Sequence, residues 1–112
     1  MKNKITDKTV KMDLKPIPHI TKSNRYEVQE KYNNSEKYNY TEFCDHCGRG
    51  IKGEPAYMIH MANTKVVIIG QKVDEYIHQE TIAGRMEDMG YYAIGSECVK
   101  VYHKEYRYKS KK

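Results

Sequence analysis

Residues 43–50 read Phe43-Cys44-Asp45-His46-Cys47-Gly48-Arg49-Gly50. Two thiols three positions apart on a tight turn bring both sulfurs to one side, and a Gly directly after them suits the bend. A metal in a tetrahedral thiolate or imidazole shell takes four donors, so two more must come from elsewhere. One further cysteine exists, Cys98. Three is an odd count, which argues against a closed disulfide framework and points to metal or redox chemistry. A redox CxxC would open a helix after a strand in a βαβ unit, and that context does not surround this pair.

Downstream of the pair, Gly48-Arg49-Gly50-Ile51-Lys52-Gly53 reads as a Gly-rich turn region. Residues 55–61 and 64–69 (TKVVII) are rich in β-formers, with Ala62-Asn63 between them suited to a turn, which predicts a β-hairpin. In 71–90, Val73 and Ile77, and then Ile82, Met86 and Met89, have partial helical spacing that Gly84 weakens, which predicts a short helix around 79–89 ending at Gly90. Tyr91 to Ile94 reads as a short strand broken by Gly95. Ser96 is then a suitable N-cap for a helix from Glu97 to about Lys109, with Val99, Tyr102 and Tyr106 as its buried stripe and Lys/Arg in its last turn.

This order of CxxC knuckle, hairpin, strand and helix carrying Cys98 in its first turn is the layout of a treble-clef zinc site. The predicted fold class is a small α+β, treble-clef-like domain over residues 43–109, with structural Zn2+ on Cys44, Cys47 and Cys98. His103, five residues after Cys98, is the first choice for the fourth donor. On an ideal helix, however, that step turns it about 140° away from Cys98. His60 and His78 are the next choices, and His46 the last, because the middle residues of a knuckle usually point away from the metal; a water or an open fourth position is the remaining alternative.

Two separated motifs, Cys44-Asp45-His46-Cys47-Gly48-Arg49 and Ile94-Gly95-Ser96-Glu97-Cys98-Val99-Lys100, follow a CxxCGR … IGxxCxK pattern. This resembles small zinc-finger-like proteins common in bacteriophages and mobile elements, over about residues 43–103. The resemblance implies a structural zinc on the three cysteines; His103 does not derive from it.

With 112 residues, 38% hydrophobic, no Trp, one Phe and eleven Tyr, the chain has little apolar material for a core. Domains of this size often need a staple. Residues 1–42 read as a basic, Tyr-containing arm, partly disordered, and 110–112 as a basic tail. The charge of +5 is uneven: six lysines stand against Asp7 and Asp13 in residues 1–22, and six Lys/Arg against Glu105 in 98–112, flanking an acidic middle. No apolar run approaches a membrane span and no signal-peptide h-region follows the basic start, which predicts a cytoplasmic protein, in the host cell if phage-encoded.

Motifs for catalysis are missing: the sequence has no HExxH, no phosphate-binding Gly-rich loop and no HxE of the zinc deaminases. The expectation is therefore a non-enzymatic binding protein. Its first expected partner is nucleic acid, met by Arg49, Lys52, Lys100, Lys104, Arg107 and Lys109, although cations in a last helical turn also serve simply to complement the dipole. The alternative partner is a host or phage protein complex that the chain modulates or inhibits.

Overall fold

Strand β3 (Tyr57–Ala62) is the centre of the architecture because both of its faces are covered. Along it, period-two alternation sends Tyr57, Ile59 and Met61 to one cluster and Ala62 to another. The computed structural model describes residues 12–109; the expectations for 1–11 and 110–112 lie outside the described residues. Within that range the chain is α+β: helices α1 (Arg25–Asn33) and α2 (Gln71–Ile82), a two-stranded ribbon of β1 (Glu42–Phe43) and β2 (Gly50–Ile51), and a four-stranded antiparallel sheet.

In that sheet, β3 pairs on one side with β5 (Asp88–Ile94) along its whole length. On the other it pairs with β4 (Lys65–Val67) through residues 60–62 and with β6 (Tyr108–Lys109) through Tyr57 and Met58. The predicted hairpin is β3–β4, with its turn one residue later, at Asn63-Thr64. Both turn residues have left-handed φ, 52° and 65°, the requirement of a type I′ connection whose twist matches the strands.

Two expectations are corrected. The helix near 79–89 lies earlier, at Gln71–Ile82, and the chain is already in strand at Asp88. Val73 and Ile77 are its buried anchors. Gly90 ends no helix: it sits in β5 at φ +88°, where the register shifts from Met61↔Gly90 to Ala62↔Asp88, leaving Met89 as the extra residue of a bulge.

The C-terminal helix is the second correction. In its place stand two short 3-10 turns, Cys98–Val101 and Lys104–Tyr106, separated by extended backbone at Tyr102 and His103. The predicted buried residues do pack, with Val99, Tyr102 and Tyr106 all in the core. The two tyrosine hydroxyls explain the break. Tyr102 Oη accepts from Ile20 N at 2.9 Å, and Tyr106 Oη donates to Lys15 O at 2.6 Å. Those two backbone partners are five residues apart on an extended strap, further than the roughly 6 Å that four helical residues advance.

That strap, residues 12–24, crosses the sheet edge: Ile17 and Val66 exchange both backbone hydrogen bonds, at 2.9 and 3.0 Å. The unpaired side of β4 is thereby covered. Leu14 joins Ala62, Val67, Val73 and Ile77 in the core under α2. The larger core, on the other face, holds Ile59, Met61, Val66, Ile94, Val99, Tyr102 and Tyr106 together with Cys44 and Cys47. Two of the three thiols therefore lie inside the packing, with Cys98 at its margin.

Candidate metal centre

The ribbon β1–β2 exists to make one turn. Cys44 N donates to Arg49 O at 2.9 Å and Gly48 N to Cys44 O at 2.8 Å, closing Cys44–Gly48 into a knuckle. Gly48 is required twice over. Its φ is +86°, and a Cβ there would stand 2.1 Å from the carbonyl oxygen of Arg25 at the start of α1. Cys98 arrives from the other direction, at the start of the 3-10 turn that follows β5, where Val99 N donates to Gly95 O at 2.9 Å.

The three sulfurs converge, all within 4.8 Å of one another. Thiolates bonded to zinc at about 2.3 Å and tetrahedral angles stand roughly 3.8 Å apart, so small side-chain rotations would close this set on an ion. The three cysteines can hold a metal ion. Cys44 and Cys47 are buried, at 2% and 7% exposure, and Cys98 is half-buried.

Electrostatics divides the thiols. Burial opposes the Cys44 thiolate, but N–H groups of Gly95, Cys47 and His46 outweigh it and hold its pKa below the ordinary thiol value. The Gly95 N–H reaches the sulfur at 3.2 Å. Cys98 is pushed up to about 12 by burial first, then by its neighbours Cys47 and Cys44. Three thiols this close cannot all ionise without a cation among them.

The intervening Asp45 and His46 turn away from the sulfurs and grip the strap. Asp45 takes Arg25 Nη1 on both its backbone oxygen, at 2.6 Å, and its Oδ1, at 3.0 Å. Its other oxygen bonds His19 Nε2. His46 Nδ1 lies 2.9 Å from Ile20 O, and Lys22 N donates to His46 O at 2.8 Å. Sequence reasoning missed this clamp. Its one signal was the polar Asp-His pair at the knuckle positions that face away from a metal.

The structure does not bring His103 to the thiols. Its side chain is 71% exposed and its Nδ1 accepts from Glu105 N, because the break after Tyr102 removes the helix that would have carried it. His60 is on the opposite face of β3, where Nε2 lies 2.9 Å from Asp88 Oδ1, Nδ1 lies 3.4 Å from Asp74 Oδ1, and the ring stacks on Tyr91. His78 is exposed on α2.

The expected phosphate-contacting cations are not aligned on a helix. Arg49 donates to Tyr32 Oη at 3.3 Å and Lys52 stands 5.2 Å over the Tyr38 ring, next to a ring cluster in which Tyr40 contacts Tyr32, Tyr38 and Phe43. Lys100 pairs with Glu97. Arg107 donates to Tyr102 O at 3.0 Å, and Lys104 and Lys109 are exposed. No helix among the described residues is long and apolar enough to cross a membrane.

Comparison with protein-family models, curated proteins and solved structures finds no match.

Proposed function

We propose that the protein is a non-enzymatic, zinc-stabilised binding protein of phage or mobile-element type, cytoplasmic, whose partner is nucleic acid. The observation that carries the metal part is the convergence of Cys44, Cys47 and Cys98 within 4.8 Å. Zinc is the ion of choice because soft thiolates from a knuckle and a following turn match its tetrahedral preference. In this reading the arrangement is treble-clef-like, with a 3-10 turn in place of the usual helix start.

Support for nucleic acid comes from the cations set beside rings near the knuckle, Arg49 with Tyr32 and Lys52 with Tyr38. Guanidinium and ammonium groups meet phosphates while nearby rings stack on bases. A gel shift with single-stranded DNA and RNA tests this. Binding in the micromolar range whose affinity falls steeply between about 50 and 200 mM salt is expected; salt-insensitive or absent binding rejects the partner. Metal analysis of the purified chain, expected at one zinc per chain and lost in Cys98→Ser, tests the centre separately.

A second reading, a protein partner that the chain modulates or inhibits, is favoured by one observation. A largely apolar cavity of about 360 Å3 lies between strap, hairpin and α2, with Met12, Leu14, Val67, Tyr76 and Met86 among its walls. A partner held there by an apolar anchor would show little salt dependence.

A further inference from the structure

The side chains that would complete a four-donor shell around the thiols are each committed elsewhere. Asp45 is taken by Arg25 and His19, His46 faces Ile20 O, and His103 is in solvent beside Glu105. Among the described residues, the three cysteines are the one group of three or more His, Cys, Asp and Glu side chains close enough together to hold an ion. Their exposure is asymmetric: Cys44 and Cys47 are buried and Cys98 is half-buried, so the cluster is shielded on the knuckle side and reachable from the Cys98 side.

We infer that the metal centre is a three-thiolate site whose fourth coordination position faces solvent beside Cys98 and accepts a small, neutral, monodentate nitrogen donor, with water there otherwise. The inference rests on the metal reading above and sharpens it. Three thiolates on a divalent ion leave a net charge of minus one, so a neutral donor adds no charge to a partly buried centre, whereas a further anion raises it to minus two. Closed four-ligand shells characterise purely structural zinc, whereas a three-ligand shell leaves a position for exchange. That position binds rather than hydrolyses, because the nearby carboxylate, Asp45, is engaged by Arg25 and His19 instead of facing the sulfurs as a base. The same ion then holds the knuckle to the end of β5 and presents an exchangeable face.

The test uses the full chain loaded with Co(II), titrated with imidazole and, separately, with azide, in wild type and in His103→Ala. Sulfur-to-cobalt charge-transfer bands are expected in both proteins. Imidazole is expected to shift the visible d–d bands saturably while the charge-transfer bands persist, and azide at equal concentration to do far less. X-ray absorption on the zinc form is expected to fit three sulfurs near 2.3 Å and one lighter atom near 2.0–2.2 Å. A histidine donor that disappears in His103→Ala, or d–d bands indifferent to imidazole, overturns the open position. Azide as effective as imidazole overturns the donor class. Absent charge-transfer bands instead reject the metal centre itself.

Discussion

Gly48 carries more constraint than either neighbouring cysteine reveals. Its left-handed backbone disfavours any side chain, and a Cβ would enter the Arg25 carbonyl. Gly53 shares the first property, φ +72°, but has nothing within 4 Å. Gly48→Ala is therefore expected to cost at least about 2 kcal/mol and Gly53→Ala only about 1 kcal/mol, read as the difference in urea midpoints. Equal costs would show that α1 does not press on the knuckle. Asp88 sets a pH limit. Burial opposes its ionisation, but the bonds from His60 and Gly90 N–H and the charges of His60 and His78 outweigh it, holding the carboxyl below the usual carboxylate value. A depressed folded pKa stabilises above the unfolded value, about 3.9, and that contribution is lost as pH falls through the folded one. Melting temperature followed from pH 6 to pH 3 is expected to fall less in Asp88→Asn than in wild type; parallel curves would remove Asp88 from the acid limb. At this scale the three thiols were legible in the sequence because their chemistry is local. That no histidine among the described residues joins them was not, because what engages His46 and His103 is decided by a strap 26 residues away and by a broken helix.

The elements divide along the same line. The hairpin could be read because β-formers flank a turn and both signals are short-range. Its turn residues also expose a weakness: Thr64, β-branched, sits at φ 65°, a conformation that suits Gly. Thr64→Gly converts the pair to Asn-Gly and is expected to stabilise the protein by about 0.5–1 kcal/mol, strain relief exceeding the entropy of a glycine. A rise in melting temperature checks it, with Asn63 retained because its Oδ1 accepts from Glu87 N at 2.8 Å. The misplaced helix has a physical cause. Ile82, Met86 and Met89 imitate a helical stripe, yet Ile82 is exposed and Met89 belongs to the β5 bulge, its sulfur accepting from Thr64 N. The spacing of Val99, Tyr102 and Tyr106 identified a buried set correctly and its conformation wrongly, since 3-10 turns joined by extended residues can bury the same positions. The tyrosine hydroxyls, bound to the strap, decided between them.

For the molecule as a whole, the knuckle ties together parts that are distant in sequence. Cys44 and Cys47 face Cys98 and the end of β5. Asp45 and His46 on the same turn hold His19, Ile20, Lys22 and Arg25, and Tyr102 and Tyr106 hold the strap at Ile20 and Lys15. With so little apolar material in the chain, removing the proposed metal link between the thiols should release the strap before the sheet, because β3–β5 pairing and the α2 core do not pass through the knuckle. Hydrogen exchange on the chelated protein and on Cys98→Ser is expected to accelerate first at the amides of Ile20, Lys22, Cys44, Gly48 and Gly95. The β3 amides paired with β5, at Ile59 and Met61, should stay protected longer, as local opening precedes global unfolding. Uniform acceleration across both sets would mean that the centre and the sheet fold as one unit, the metal then contributing to the whole molecule as it does in zinc-finger peptides that are unfolded without it. Selective acceleration would make strap and knuckle a separable element, and loss of the proposed ion would uncover the edge of β4 that Ile17 now protects.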